Sequence, residues 1–153
     1  MLRPFALLAL ILAACSDGGS GPVDVIPAEL AGMWVASPAC RPECGFTFES
    51  VTNPADSVNF TTLGATTTFT LAQSGAFTFD PGLPTVGDAQ GEMRLEPGVL
   101  VVQPTDEFPE EERIDYQLVA GRLRLSWRET VTYTLPDAEG PSAVRVRAVL
   151  HRP

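Results

Sequence analysis

The sequence predicts an all-β protein, an antiparallel up-and-down meander closed into a barrel of eight to ten strands. Three observations carry that prediction. From Gly32 onward, apolar and polar residues alternate in run after run, the mark of antiparallel strands with one dry and one wet face. Turn chemistry falls between the runs, at Ser74-Gly75, Pro97-Gly98, Ala120-Gly121 and residues 136–142, where Gly and Pro punctuate the chain. No helical period follows the N-terminal stretch, apart from a short turn near residues 53–57. A meander of this size has edges to protect, and closure into a barrel removes them.

The runs come in order. Phe46 and Phe48 alternate with Thr47 and Glu49, and Thr67, Phe69 and Leu71 share a face, as do Phe77 and Phe79. Met93 and Leu95 alternate with Glu92, Arg94 and Glu96. Ile114, Tyr116 and Leu118 oppose Arg113, Asp115 and Gln117, and Val144, Val146, Ala148 and Leu150 oppose Arg145 and Arg147. The density of Thr and Val supports strands on propensity as well. One segment is ambiguous: Leu123, Leu125, Trp127, Glu129, Val131, Tyr133 and Leu135 share one parity with no Gly or Pro between them. One long curved strand would point Glu129 inward. Two strands with a tight turn near Arg128-Glu129 would leave it in water, and the turn is the preferred reading.

Ahead of the strands, residues 1–14 read as a signal peptide. Arg3 supplies its positive end and Phe5–Leu12 its apolar stretch, too short to span a bilayer. Leu12-Ala13-Ala14-Cys15 resembles the bacterial lipobox. The resemblance implies that Cys15 is acylated, palmitate-like chains included, and becomes the mature N-terminus. A single chain holds a protein only marginally, so anchoring takes several. Ser16 after the cysteine implies, by likeness to sorted lipoproteins, the periplasmic side of the outer membrane. Residues 15–26 include Asp17, Gly18, Gly19, Ser20 and Gly21 and read as a flexible tether. The barrel domain is expected over 27–153.

Once Cys15 carries lipid, Cys40 and Cys44 remain, flanking Arg41-Pro42-Glu43. Outside the reducing cytosol a disulfide is the default for such a pair, contributing roughly 2 kcal/mol at most across so small a loop. A metal site wants about four ligands, and the one histidine, His151, is third from the C-terminus. A thioredoxin-like redox pair would be C-x-x-C before a helix, whereas this is C-x-x-x-C before a strand.

Composition excludes several classes. With 44% apolar residues the chain can build a core, unlike disordered or collagen-like sequences. No apolar run reaches the 18 or so residues of a spanning helix. The 19 Asp and Glu outweigh 10 Arg, for a net charge of −9, which nucleic-acid phosphates repel. A Ser-His-Asp hydrolase needs a histidine held between partners, and His151 near a chain end reads as a surface residue. Asp106, Glu107, Glu110, Glu111 and Glu112 crowd one loop, but their spacing matches no EF-hand, so a solvated hairpin tip is expected. Asn59-Phe60-Thr61 fits a eukaryotic glycosylation sequon, which a bacterial lipobox makes irrelevant. The Arg residues on wet faces are expected to form surface ion pairs worth little each. No enzyme activity, cofactor or metal is expected.

Leu30-Ala31-Gly32-Met33-Trp34 resembles the G-x-W signature that opens the first strand of lipocalins and their bacterial lipocalin-like relatives. Tyr116-Gln117-Leu118 with Gly121, Leu123 and Leu125 is similar to a later hairpin of that family. Gly91-Glu92-Met93 resembles a mid-chain return of the same theme, and Val144–His151 a closing strand. The resemblance implies a calycin-type barrel whose Trp34 plugs the closed end. Two functions are compatible with it. One is a cup for a small apolar ligand, with Trp34, Tyr116, Trp127, Glu129 and Tyr133 as candidate contacts. Uncharged or cationic ligands would then be preferred over anions, because Glu129 in an apolar cup resists ionisation unless partnered. The other is a structural or interaction lipoprotein of the cell envelope whose barrel is packed solid by its own aromatics. A void of roughly 300 Å³ or more separates the two.

Overall fold

A computed structural model describes residues 25–105 and 110–153, and the alternating runs emerge there as antiparallel strands. In chain order they are β1 (Gly32–Ala36), β2 (Gly45–Ser50), β3 (Ser57–Asn59), β4 (Thr67–Leu71), β5 (Ala76–Asp80), β6 (Ala89–Glu96), β7 (Val99–Val102), β8 (Glu112–Val119), β9 (Arg122–Trp127), β10 (Val131–Tyr133) and β11 (Ser142–His151). Neighbours β4 through β9 form an uninterrupted meander, β11 pairs β9, and β1 joins β4 to β11. Eight strands thereby close an antiparallel barrel. The other three, β2, β3 and β10, extend the sheet beyond this ring.

The turns follow their residues. Ala120 and Gly121 both have positive φ, 51° and 73°, the conformation of a two-residue hairpin that fits the twist of its strands. β7 is the strand that alternation does not signal. All four of its residues are buried, because Val101 faces Arg94 and Arg113 across the sheet and their aliphatic stems cover it. Phe60 opens a 3-10 turn, Phe60–Leu63. Asn59 caps that turn by accepting the Thr61 N–H at 3.0 Å. Leu118, assigned to the dry face, is exposed near the end of its hairpin.

One end of the barrel is closed. Trp34 is 1% exposed, and its indole N–H donates to the Leu30 carbonyl at 2.8 Å. The Arg152 guanidinium lies 4.5 Å over the Trp34 ring and donates to the carbonyls of Glu29 and Ala31 at 2.8 and 3.0 Å. Gly32 has φ +121°, and a Cβ there would stand 2.8 Å from that guanidinium, so glycine suits this position on both counts. Ile26, assigned to the tether by composition, is buried, and its N–H donates to the Gln73 carbonyl at 2.9 Å. Burial of a ring the size of Trp34 is worth about 3–5 kcal/mol against truncation.

Candidate functional site: the cleft at the mouth of the barrel

The opposite end, where β5 and β9 finish and β6 and β8 begin, is open. There β2 and β10 rise beyond the ring, and a cleft of about 460 Å³ lies between them and the segment 85–89. Strand parity makes its floor aromatic. Trp127 follows Leu123 and Leu125 on the inward face of β9, and Phe79 follows Phe77 on β5. Phe46 joins them, with ring centroids 5.6 Å from Phe79 and 6.4 Å from Trp127, while Phe79 and Trp127 are 5.4 Å apart. On one flank the Tyr133 ring stands edge-on to Phe48 at 4.8 Å and to Phe60 at 5.8 Å.

Beneath this floor the barrel is full. The void among Phe69, Phe77, Met93, Val102 and Ile114 holds about 40 Å³. That is room for little more than water and far below the roughly 300 Å³ of a small-molecule site. A ligand of useful size therefore has room in the cleft and not in the barrel's centre.

Three acidic residues border the cleft, with Asp88 exposed in the segment 85–89. Glu112 is half-buried in the first position of β8, and Glu129 is exposed at the bend between β9 and β10. Glu112 has no hydrogen-bond or ion-pair partner among the described residues. Burial, and then the nearby charge of Glu129, push the Glu112 carboxyl above its ordinary pKa. Arg113 also borders the cleft, but its charge is committed: its guanidinium donates to Glu96 at 2.7 Å and to Glu111 at 2.9 Å. Arg94 donates to Glu111 at 2.7 Å and also pairs with Glu96. These hydrogen bonds, Arg113's first, hold Glu96 down to about 2. The cleft thus offers rings, aliphatic surface and three acids, a composition suited to an apolar body bearing a positive or neutral polar end.

The five candidate contacts divide between the two ends. Trp127, Glu129 and Tyr133 border the cleft. Trp34 is sealed under Leu30 and Arg152. Tyr116 is half-buried toward the closed end, where burial and then Glu29 raise its phenol above its ordinary pKa. The chain makes two strands of the ambiguous segment, with the bend at 128–129, and Glu129 stands in water. The expected solvated acidic tip needs correction. Asp106 and Glu107 lie outside the described residues, and Glu110 is exposed, but Glu111 joins the arginine network and Glu112 starts a strand and faces the cleft. Alternation held the signal, since Ile114 and Tyr116 point to residue 112 as the next inward position. His151 lies on the surface, as expected, but within a strand. It ends β11, half-buried, opposite Val35 of β1 and Arg122 of β9.

No protein-family model, curated protein or solved structure matches this chain. The chemistry of the cleft carries the functional argument. Cys40 and Cys44 lie outside the cleft at disulfide distance, with Cα atoms 5.5 Å apart. Cys15 lies outside the described residues.

Proposed function

We propose that the protein is a non-catalytic, lipid-anchored envelope protein with a lipocalin-like barrel, and that it binds a small apolar ligand, cationic or neutral, in the cleft at the barrel mouth. The observation that carries this reading is the cleft of about 460 Å³ floored by Phe46, Phe79 and Trp127, within the volume range of small-molecule sites. Glu112 and Glu129 set its preference. An ammonium group would relieve their mutual repulsion, whereas a carboxylate would add a further negative charge beside a half-buried one. The lipocalin-like assignment rests on Gly32-Met33-Trp34 and the closed end they occupy. The envelope address rests on the lipobox-like run ending at Cys15.

The test is tryptophan fluorescence during titration with an alkyl-aryl amine, the alcohol of the same skeleton and the matching carboxylic acid. Trp127 reports from the cleft and sealed Trp34 gives the background. Saturable change with amine and alcohol, weaker change with the acid, and loss of both responses in Tyr133→Arg are expected. A Glu112→Gln/Glu129→Gln variant should bind amine and alcohol alike. Absence of any saturable response would overturn the reading in favour of a packed envelope lipoprotein, the alternative that the filled barrel centre supports.

A further inference from the structure

β1 and β2 lie end to end along one edge of β11, with Val35 opposite His151 and Gly45 opposite Val149. Residues 37–44 are the excursion between them, and this register returns the excursion beside the last residue of β11. Parity sends Leu150 into the core and His151 to the outer face. Consequently the sulfurs of Cys40 and Cys44 and a ring nitrogen of His151 lie within 4.8 Å of one another. Cys44 is buried, and Cys40 and His151 are half-buried against a shallow surface depression rimmed by Arg41, Glu43 and Arg122. Glu43 is ion-paired with Arg122, so its carboxylate is already engaged.

We propose that this cluster is a redox-gated site for monovalent copper, closed by the Cys40–Cys44 bond and opened when a dithiol reduces that bond. The exchange balances. The dithiol forms its own disulfide, two electrons cleave the S–S bond, and two protons pass to Cys40 and Cys44. Copper entry releases those two protons and forms two Cu–S bonds and one Cu–N bond without changing the oxidation state of the metal. Soft thiolates select soft ions. Three ligands complete a trigonal shell for monovalent copper, whereas zinc with three protein ligands still seeks a fourth. Sulfurs about 2.3 Å from a shared ion stand roughly 4 Å from each other, within reach of side chains whose Cα atoms are 5.5 Å apart. With Arg122 paired to Glu43, the Arg41 guanidinium leaves the rim one net positive charge, which offsets the single negative charge on a dithiolate holding one monovalent ion.

The test uses the full-length chain carrying Cys15→Ser, which removes the third thiol. Protein treated with dithiothreitol, then freed of it without oxygen, is titrated with monovalent copper against a chromophoric chelator. One equivalent should bind, with a thiolate-to-copper absorption in the near ultraviolet. Protein left oxidised should show neither the band nor any free thiol. His151→Ala should weaken binding by more than the roughly 10–100-fold that loss of an outer-shell group costs. Cys40→Ser/Cys44→Ser should abolish it. Far-ultraviolet circular dichroism on each variant separates a lost ligand from a lost fold, and His151→Gln gives a second, polar replacement should the alanine variant unfold. Copper binding unchanged in the folded histidine variants, equal binding by oxidised protein, or zinc bound as tightly as copper would each overturn the proposal.

Discussion

At Glu112 the environment comes from strand parity, and the neighbours in sequence mislead. Glu110 and Glu111 are beside it in the chain, yet Ile114 and Tyr116 share its face of β8, so its carboxyl looks onto the cleft while Glu111 meets arginines on the outside. Burial first and Glu129 second raise its pKa, which means the folded chain holds the Glu112 proton to higher pH than the unfolded chain does. The destabilisation is therefore absent below the unfolded value, grows as pH rises between the unfolded and the folded value, and is complete above the folded one. Glu112→Gln should leave stability near wild type at pH 4 and raise it above wild type at pH 8. Urea midpoints at the two pH values check this, and a difference that shrinks or reverses with pH would refute it. Glu129 shows the converse. Its parity matched an interior strand, but the bend at 128–129 turned it to water, an outcome that parity could not decide.

Among elements, β1 and β11 are joined through side chains as well as through the ladder. A single register pair, Val35 with His151, closes the ring, and the Trp34–Arg152 stack reinforces it next door. Arg152 also holds the carbonyls of the turn that precedes β1, so three segments meet at one guanidinium. Arg152→Ala should lower stability by about 2 kcal/mol, the sum of an exposed cation–π contact and hydrogen bonds from a charged donor, discounted for exposure. Chemical denaturation measures it, and an unchanged midpoint would show that the backbone ladder closes the barrel unaided. The glycine and tryptophan of Gly32-Met33-Trp34 were legible as a strand opening. Their partner was not, because Arg152 lies over a hundred residues downstream and charge on a terminal residue reads as solvent-facing. β7 escaped for another reason. Its outer face is roofed by the stems of Arg94 and Arg113, so its four apolar residues show no alternation.

For the whole molecule, the address and the barrel are separable predictions. Cys15→Ala should move the protein from the membrane fraction to the soluble fraction, because Ser16 onward supplies no other apolar anchor. Fractionation of cells expressing the full-length variant checks it, and a variant that still pellets with membranes would remove the lipoprotein reading. The sequence by itself determined the all-β class and most strand positions, while the closed end at Trp34 was implied only by the G-x-W resemblance. The class and the strand positions follow from period two and turn residues, both of which act locally. It also marked Trp127, Glu129 and Tyr133 as residues worth watching, since apolar rings beside an acid are visible in a list of residues. Tertiary structure decided the rest. It filled the barrel centre and left an aromatic-floored cleft at the mouth, because how eight inward faces interlock depends on the register between strands. It set Glu112 beside Glu129, Arg152 over Trp34, and His151 against Cys40 and Cys44. Each of these meetings depends on which strand lies beside which, and that order is imposed by closure of the whole sheet, where no short stretch of sequence records it.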